Sequence, residues 1–326
     1  MSLYVVERQL GLSDLTSVTS DGVTLGFPDS AWNYNGATSY NKNDLVVRNF
    51  YWYQSLVGSN AGHDPEDDDQ DDPSYWLKVV AVALLRLFDS GVDTRLGEDP
   101  EIVVGDWGPI SGPVVINFDD IAHTKVDTVY LEGLKDATSA RLQVYDSSDV
   151  LVYDQTKTLI DESPIYDWLT WLTYEADDFY RTNVLFWDVP AFSGYRIVLT
   201  LEGGHPAIGE AFAGRRVYLG DLNNGGSTDT DDFSSKDRNV WGDVELVEQG
   251  YAEIADYVVG LNRSQKQFVQ RIVRRNRAKV QLWTPPPDFS FTDATILGYP
   301  RDGVVFPMSS DFRLTASIPI TGIKAS

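Results

Sequence analysis

Val114-Val115-Ile116-Asn117-Phe118, Val126-Asp127-Thr128-Val129-Tyr130-Leu131, Ala140-Arg141-Leu142-Gln143-Val144-Tyr145 and Val150-Leu151-Val152-Tyr153 follow one another in less than 50 residues. Asp119-Asp120, Gly133 and Asp146-Ser147-Ser148-Asp149 separate them. Apolar residues alternate with polar ones, or run briefly without interruption, and turn formers bound each run. That is the signature of short strands. Arg141–Tyr145 and Leu151–Tyr153 flank a turn and read as a hairpin. Val184–Trp187, Tyr195–Leu201, Ala207–Ala213 and Val217–Leu219 continue the series. Short strands at this spacing predict an antiparallel sandwich of jelly-roll type over residues 101–222.

Working outward, residues 240–326 mix two periods. Val244–Val247 and Ala252–Val259 alternate as strands. From Asn262 the period changes. Phe268, Val269, Ile272 and Val273 form an apolar stripe at helical spacing, and Asn262 is placed to cap the helix. Lys279–Trp283 and Pro285-Pro286-Pro287 end that stretch, and Ala294–Leu297, Val304–Phe306 and Phe312–Ile320 return to strand pattern, giving an α+β unit. Between the sandwich and this unit, residues 223–239 have loop composition. Asp229, Asp231 and Asp232 lie there, and a plain loop is preferred over a cation site. Toward the N-terminus, residues 81–100 read as a connector, with Val79–Phe88 either a buried strand or a short helix. Residues 1–30 read as an N-terminal extension with two strand-like runs, Leu3–Val6 and Val23–Phe27. The expected fold is mainly β: a small aromatic β module, a central antiparallel sandwich and a C-terminal α+β unit.

The module, residues 31–80, carries Trp32-Asn33-Tyr34, Tyr40, Asn43-Asp44, Val46-Val47, Phe50-Tyr51-Trp52-Tyr53, Pro65 and Tyr75-Trp76. Trp and Tyr offer flat apolar faces with a polar edge, suited to a sugar ring or a protein partner. The order resembles the small chitin- and cellulose-binding modules of carbohydrate-binding families 5 and 12, which run Trp…Tyr-x-x-Gly-Asp-x-Val…Gly-x-x-Tyr…Pro…Trp. Asn43 stands where that pattern has a Gly, Asn49 stands near a second, and an acidic insert precedes Trp76. The contact surface is expected at Trp32, Tyr34, Trp52 and Tyr53, with Trp76 in the core; the alternative is that these aromatics fill the core of a very small domain, which needs large side chains to bury enough area. The insert, Asp64–Asp72, holds seven acids in nine residues. It lacks the spaced order of a calcium loop and reads as a solvated loop.

Two further resemblances concern the rest of the chain. Gly194–Leu201, Ile208–Gly214 and Tyr218-Leu219-Gly220 are similar to the closing strands of galactose-binding-like sandwiches in tailed-phage virion proteins. The strand–strand–helix–strand–strand order after residue 240 resembles tail and baseplate units that pack around an axis. These imply a structural component of a phage tail tip or baseplate. Its partners would be other tail proteins, in several copies around a ring, and host surface glycan.

The net charge of −23 is unevenly spread. Residues 1–260 hold 16 Lys+Arg and 45 Asp+Glu, and residues 261–326 hold 10 and 4. An acidic body argues against nucleic acid as partner. The basic helix, with Arg271, Arg274 and Arg275, is either a solvated face or a contact with an acidic neighbouring subunit; if it is the contact, reversing all three to Glu is expected to disrupt assembly with the β fold intact. There are no cysteines, so no disulfide or thiolate metal site exists. Met1–Glu7 lacks the pattern of a secretory signal, and the longest apolar run is too short to span a bilayer. The expected location is the virion tail, after synthesis in the host cytoplasm, with no membrane insertion.

Chemistry is sparse. His63, His123 and His205 are scattered, and no zinc helix, nucleophile elbow or phosphate loop occurs. No catalytic residue, metal ligand or cofactor is assigned. The alternatives are a free carbohydrate-binding protein and a polysaccharide depolymerase, since a glycosidase needs only two carboxylates roughly 5–10 Å apart. Trp168 and Trp171, three residues apart on one helical face, are expected to plug the sandwich from below rather than form a contact patch.

Overall fold

The structure is a computed structural model. It describes residues 2–28, 30–98, 112–121, 125–161, 165, 167–173, 180–191, 194–238, 244–247, 249–287, 294–301 and 313–323. His123 and the expected strand Val304–Phe306 lie outside them. The fold is mainly β: 52% of the described residues are strand and 11% helix.

The first strands are β1 (Ser2–Arg8), β2 (Ser17–Ser20), β3 (Val23–Leu25), β4 (Ser39–Tyr40), β5 (Leu45–Arg48), β6 (Tyr51–Ser55), β7 (Asn60–Ala61) and β8 (Trp76–Ala81). Then come β9 (Val114–Ile121), β10 (Thr128–Glu132), β11 (Lys135–Tyr145), β12 (Leu151–Thr158), helix α1 (Trp168–Thr173), β13 (Val184–Trp187), β14 (Tyr195–Ala207) and β15 (Glu210–Leu222). The chain ends with β16 (Ser227–Asp232), β17 (Ser235–Arg238), β18 (Val244–Val247), β19 (Tyr251–Asn262), helix α2 (Lys266–Arg275), β20 (Gln281–Thr284), β21 (Ile296–Pro300) and β22 (Arg313–Gly322).

Nine strands form one sheet in the order β13-β10-β15-β1-β20-β21-β22-β19-β16, and β15 also pairs with β19. That extra pairing, Asp221 with Gly260 and Leu222 with Val259, closes β15-β1-β20-β21-β22-β19 into a six-stranded antiparallel barrel. Closure removes the sheet edges there. Leu3, Val5, Leu219, Tyr257, Val259, Trp283, Ile318 and Ile320 belong to its core, and Val269, Ile272 and Val273 of α2 pack against them. Each such apolar side chain contributes roughly 1.5–3 kcal/mol when fully buried.

The segment expected to be an extension therefore supplies β1, hydrogen-bonded to β15 and β20. Its apolar residues serve two cores: Leu3 and Val5 face the barrel, and Val6 joins Tyr130, Phe212, Leu282 and Leu297.

The second sheet has the order β12-β11-β14-β9-β2-β3. It packs against the β13-β10-β15 wing of the first: Ile116, Leu142 and Leu199 share a core with Leu131, Phe186 and Ala211. The predicted strand Ala207–Ala213 is instead a switch between sheets. β14 ends at Ala207 in one sheet and β15 begins at Glu210 in the other. At the switch, Leu96 of the connector pairs with Ile208 through N–H···O bonds of 2.7 and 3.0 Å. A Cβ on Gly209 would sit 2.6 Å from the Val92 carbonyl oxygen, so glycine lets the connector pass.

The connector itself is neither simple strand nor α-helix. β8 ends at Ala81, and a 3₁₀ turn spans Leu85–Leu87. Arg86, fully buried there, donates to the carbonyls of Ala81 (3.0 Å), Arg95 (3.2 Å) and Glu98 (2.8 Å). Residues 227–232, expected in a loop, form edge strand β16 against β19. All six of its residues are exposed. Asp229, Asp231 and Asp232 place charge on an open edge, which discourages strand addition by another chain. Their low β propensity hid the strand from the sequence.

Candidate functional site

The module is a three-stranded sheet, β5-β6-β8, with the short pair β4–β7 beside it. Its β5–β6 hairpin turns at Asn49-Phe50, between paired Arg48 and Tyr51. Both turn residues have positive φ, 45° and 67°, as a two-residue type I′ turn requires. Asn43 also has positive φ, 72°. Asn tolerates this left-handed region better than most residues. The two asparagines that replace glycines in the expected pattern therefore sit in, or beside, backbone that glycine would favour.

Strand alternation decides which aromatics reach the surface. Val47 pairs with Trp52 and Val46 with Tyr53. Adjacent residues of a strand point to opposite faces. Trp52 packs with Val47 and Val82 on one face; Tyr53 packs with Val46 and Trp76 on the other. Trp52 and Tyr53 are 3% and 5% exposed, so neither belongs to a contact surface. This corrects the expectation that all four aromatics form one face. The period of two over Phe50–Tyr53 was the signal that separates them. Trp76 is fully buried and donates from Nε1 to the His63 carbonyl at 2.8 Å.

Trp32 and Tyr34 do reach the surface. Trp32, in a 3₁₀ turn, is exposed and meets Trp52 edge-on at 5.6 Å. Tyr34 is half-buried; its amide donates to the Val47 carbonyl at 2.9 Å. Its ring stacks on Tyr40 at 6.0 Å and meets Trp76 edge-on at 5.9 Å. The Asn35 amide donates to the Tyr40 hydroxyl at 2.8 Å, holding the loop between them. Burial and the nearby Asp64 carboxylate push the Tyr34 phenol above its ordinary range.

Tyr34 and Tyr40 line an open groove of about 610 Å³ with Asn33, Asn35, Thr38 and Arg48. That volume falls within the ~300–1,000 Å³ of small-molecule clefts. Asp64 grips Arg48 with two bonds, to Nε at 3.2 Å and to Nη2 at 2.8 Å. The guanidinium is thereby fixed at the groove wall, 6.0 Å from the centre of the Tyr34 ring. Two tyrosine rings, two asparagine amides and an anchored arginine can bind a sugar by apolar contact and hydrogen bonds. Tyr40 belongs to the aromatic pattern but not to the expected contact surface, and Asn35 and Arg48 had no expected role; only the groove groups them.

The acidic insert is more than a solvated loop. Asp68 accepts from the backbone amides of Ser74 (3.2 Å), Tyr75 (2.6 Å) and Trp76 (2.6 Å). Desolvation opposes its ionisation, but these amide donors prevail and hold the carboxyl below its usual range. No group of three or more metal-ligating side chains occurs among the described residues.

A second place brings carboxylates together. Glu132 and Glu253 line a cavity of about 130 Å³ with Arg95, Thr182, Asn183 and Tyr251. Desolvation, with smaller contributions from Glu253 and Glu210, raises Glu132 to about 7, against an opposing hydrogen bond from Tyr130. A carboxyl poised near neutrality can serve as an acid. The cavity, however, is well under the ~300 Å³ that small ligands occupy, and a glycan does not fit it.

Helix α2 places the basic residues. Asn262, expected to cap this helix, instead precedes a 3₁₀ turn, Arg263–Gln265, that leads into α2, and its amide donates to Gln265 Oε1 at 3.2 Å; Gln265 is the residue before the α-helix. Val269, Ile272 and Val273 are buried, whereas Phe268, at the margin of the stripe, is exposed. Arg271 and Arg274 are exposed. Arg275 instead clamps Glu7 of β1 through Nε at 3.1 Å and through Nη2, and Asn276 Nδ2 donates to the same carboxylate at 2.9 Å. Arg275 is itself exposed, yet reversing it would set a glutamate against the largely buried Glu7 and break the tie between α2 and β1, so the triple reversal does not test assembly alone.

Trp168 and Trp171 are not a plug. They are 75% and 68% exposed, and the space between the sheets is filled by other side chains. No helix among the described residues is long and apolar enough to cross a membrane. No family model matches the chain, and neither a curated protein nor a solved structure matches it.

Proposed function

We propose that this chain is a structural component of a tailed-phage virion, in the tail tip or baseplate. In this reading it is made in the host cytoplasm, assembles with other tail proteins in several copies around a ring, and offers its aromatic module to host surface glycan. Its work is binding, not catalysis. The observation that carries the assembly reading is the helix α1, whose Trp168, Leu169, Trp171 and Leu172 all stand in solvent. Contiguous apolar surface on a folded chain marks an interaction site. The placement in a tail rests on the sequence resemblances alone. The glycan role is supported by the groove between Tyr34, Tyr40 and Arg48.

The discriminating experiment pairs mass photometry with a glycan array that includes chitin oligosaccharides. The expected result is a multimer that releases no reducing ends from polysaccharide. Any glycan signal should fall in Tyr34→Ala and persist in Trp168→Ser. A monomer with micromolar glycan affinity would instead establish a free carbohydrate-binding protein.

A further inference from the structure

Helix α1 is built to be exposed. Its apolar residues Trp168, Leu169, Trp171 and Leu172 are all more than half exposed. Its hydrogen bonds are local: the Thr170 amide donates to Asp167 Oδ1 at 2.7 Å, the Trp171 amide donates to the Asp167 carbonyl at 3.0 Å, and Thr173 Oγ1 donates to the Leu169 carbonyl at 3.0 Å. The turn is thus ordered before its apolar face meets anything, which lowers the entropy lost on docking.

The sequence around it is acidic. Asp161, Glu162, Asp167, Glu175, Asp177 and Asp178 flank the helix in sequence, and no Lys or Arg occurs from 158 to 180. An anionic membrane surface would repel this segment, on a chain of net charge −23. The complementary surface exists on the same molecule. Between α2 and β15 lies a groove of about 540 Å³, lined by Phe268, Ile272, Val217 and Tyr218, with Arg215, Arg216 and the ion pair of Arg275 with Glu7 also in its wall, so its net charge is positive. Helix α2 belongs to the stretch 262–279, which has Arg263, Lys266, Arg271, Arg274, Arg275, Arg277 and Lys279 and no acid. Phe268 is an apolar residue left in solvent beside this groove. An acid-flanked Trp/Leu helix and a base-rimmed apolar groove match in both polarity and charge.

We propose that α1 of one copy docks into the α2–β15 groove of a second copy, head to tail. The inference rests on the reading of this chain as an assembling subunit. Donor and acceptor are different patches, so the contact is heterologous. It generates a ring if the rotation closes and a filament if it does not. Trp168 and Trp171 are the anchors, as buried aromatics at interface centres commonly are. Arg271 and Arg274 steer the acidic flanks.

The test uses two variants of the full chain, Trp168→Ser/Trp171→Ser and Arg271→Glu/Arg274→Glu, with Arg275 left in place because it holds Glu7. All four positions are exposed, and circular dichroism checks that each variant folds. Analytical ultracentrifugation should show wild type assembling, and each variant associating at least about tenfold more weakly. Mixing them is the decisive step. The first variant keeps its groove and the second keeps its helix, so an equimolar mixture should form a dimer and stop there. A mixture that stays monomeric, or either variant assembling like wild type, overturns the docking while leaving assembly itself intact. A wild type that remains monomeric overturns both this inference and the structural-subunit reading. Wild-type monomer that sediments with phosphatidylcholine vesicles, while the Trp variant does not, would assign α1 to lipid and overturn the docking.

Discussion

Replacing Glu132 by Gln should stabilise the nine-stranded sheet at pH 8 and change little at pH 4.5. Folding raises this carboxyl from its usual 4.5 to about 7, chiefly by desolvation. The folded state therefore binds more protons than the unfolded chain between those values, and stability falls as pH rises through that window. Ionising a carboxyl so displaced costs about 3.4 kcal/mol, at 1.36 kcal/mol for each pH unit. Glu132 is only half-buried by surface area, so residual solvent contact lowers the expected cost to about 2–3 kcal/mol. Gln keeps the shape and still accepts the Tyr130 hydroxyl, but carries no charge. Glu210, also raised to about 7 by desolvation against the pull of Arg8, keeps its own slope in the variant. The assay is urea unfolding followed by tryptophan fluorescence at pH 4.5, 6 and 8, with the slope m checked for constancy. The Gln variant should gain about 2–3 kcal/mol over wild type at pH 8 and under about 0.5 kcal/mol at pH 4.5. Equal shifts at both ends, or no gain over wild type at pH 8, would show that Glu132 titrates normally and refute the reasoning.

Arg86→Met should cost about 3–5 kcal/mol, because it removes a buried donor from the carbonyls of Ala81, Arg95 and Glu98; thermal unfolding reads this. Gly214→Ala would place a Cβ 2.3 Å from the Glu7 carbonyl oxygen and push β1 out of register, at a cost of about 3 kcal/mol; hydrogen exchange over residues 2–8 should rise. Phe50→Gly should stabilise the module hairpin by about 1 kcal/mol by relieving a φ of 67°, visible as slower exchange in β5 and β6. Asp68→Ala should loosen the module above the usual carboxylate range, where the ionised side chain holds three amides, and lose its effect as acid protonates wild type through its lowered pKa; proteolysis at pH 7 against pH 3 compares the two.

Much of the strand inventory was legible because side-chain alternation is a local property. Arg141–Tyr145, Tyr195–Leu201 and Ala252–Val259 all fall inside strands. β16 was not legible, since its acids oppose strand propensity and only pairing with β19 makes it a strand. The groove was half legible. Tyr34 lies in it and Trp32 stands exposed close by in sequence, yet Trp52 and Tyr53 were misplaced although their adjacency on one strand forbids a shared face. Trp168 and Trp171 show the reverse error. Large apolar side chains at helical spacing imply a buried face, but whether a cavity remains to receive them depends on what the two sheets have already filled.

The sequence by itself determined the β character, the split between acidic body and basic end, and the helix α2. Each follows from neighbours within about ten residues, through strand and helix periods. Only the tertiary structure decided where β1 belongs, how the sheet closes, and which aromatics stay in water. β1 pairs with residues 214–221, more than two hundred positions away, and barrel closure rests on β15 meeting β19. Such pairings are fixed by the total burial they allow, and no local pattern encodes that sum.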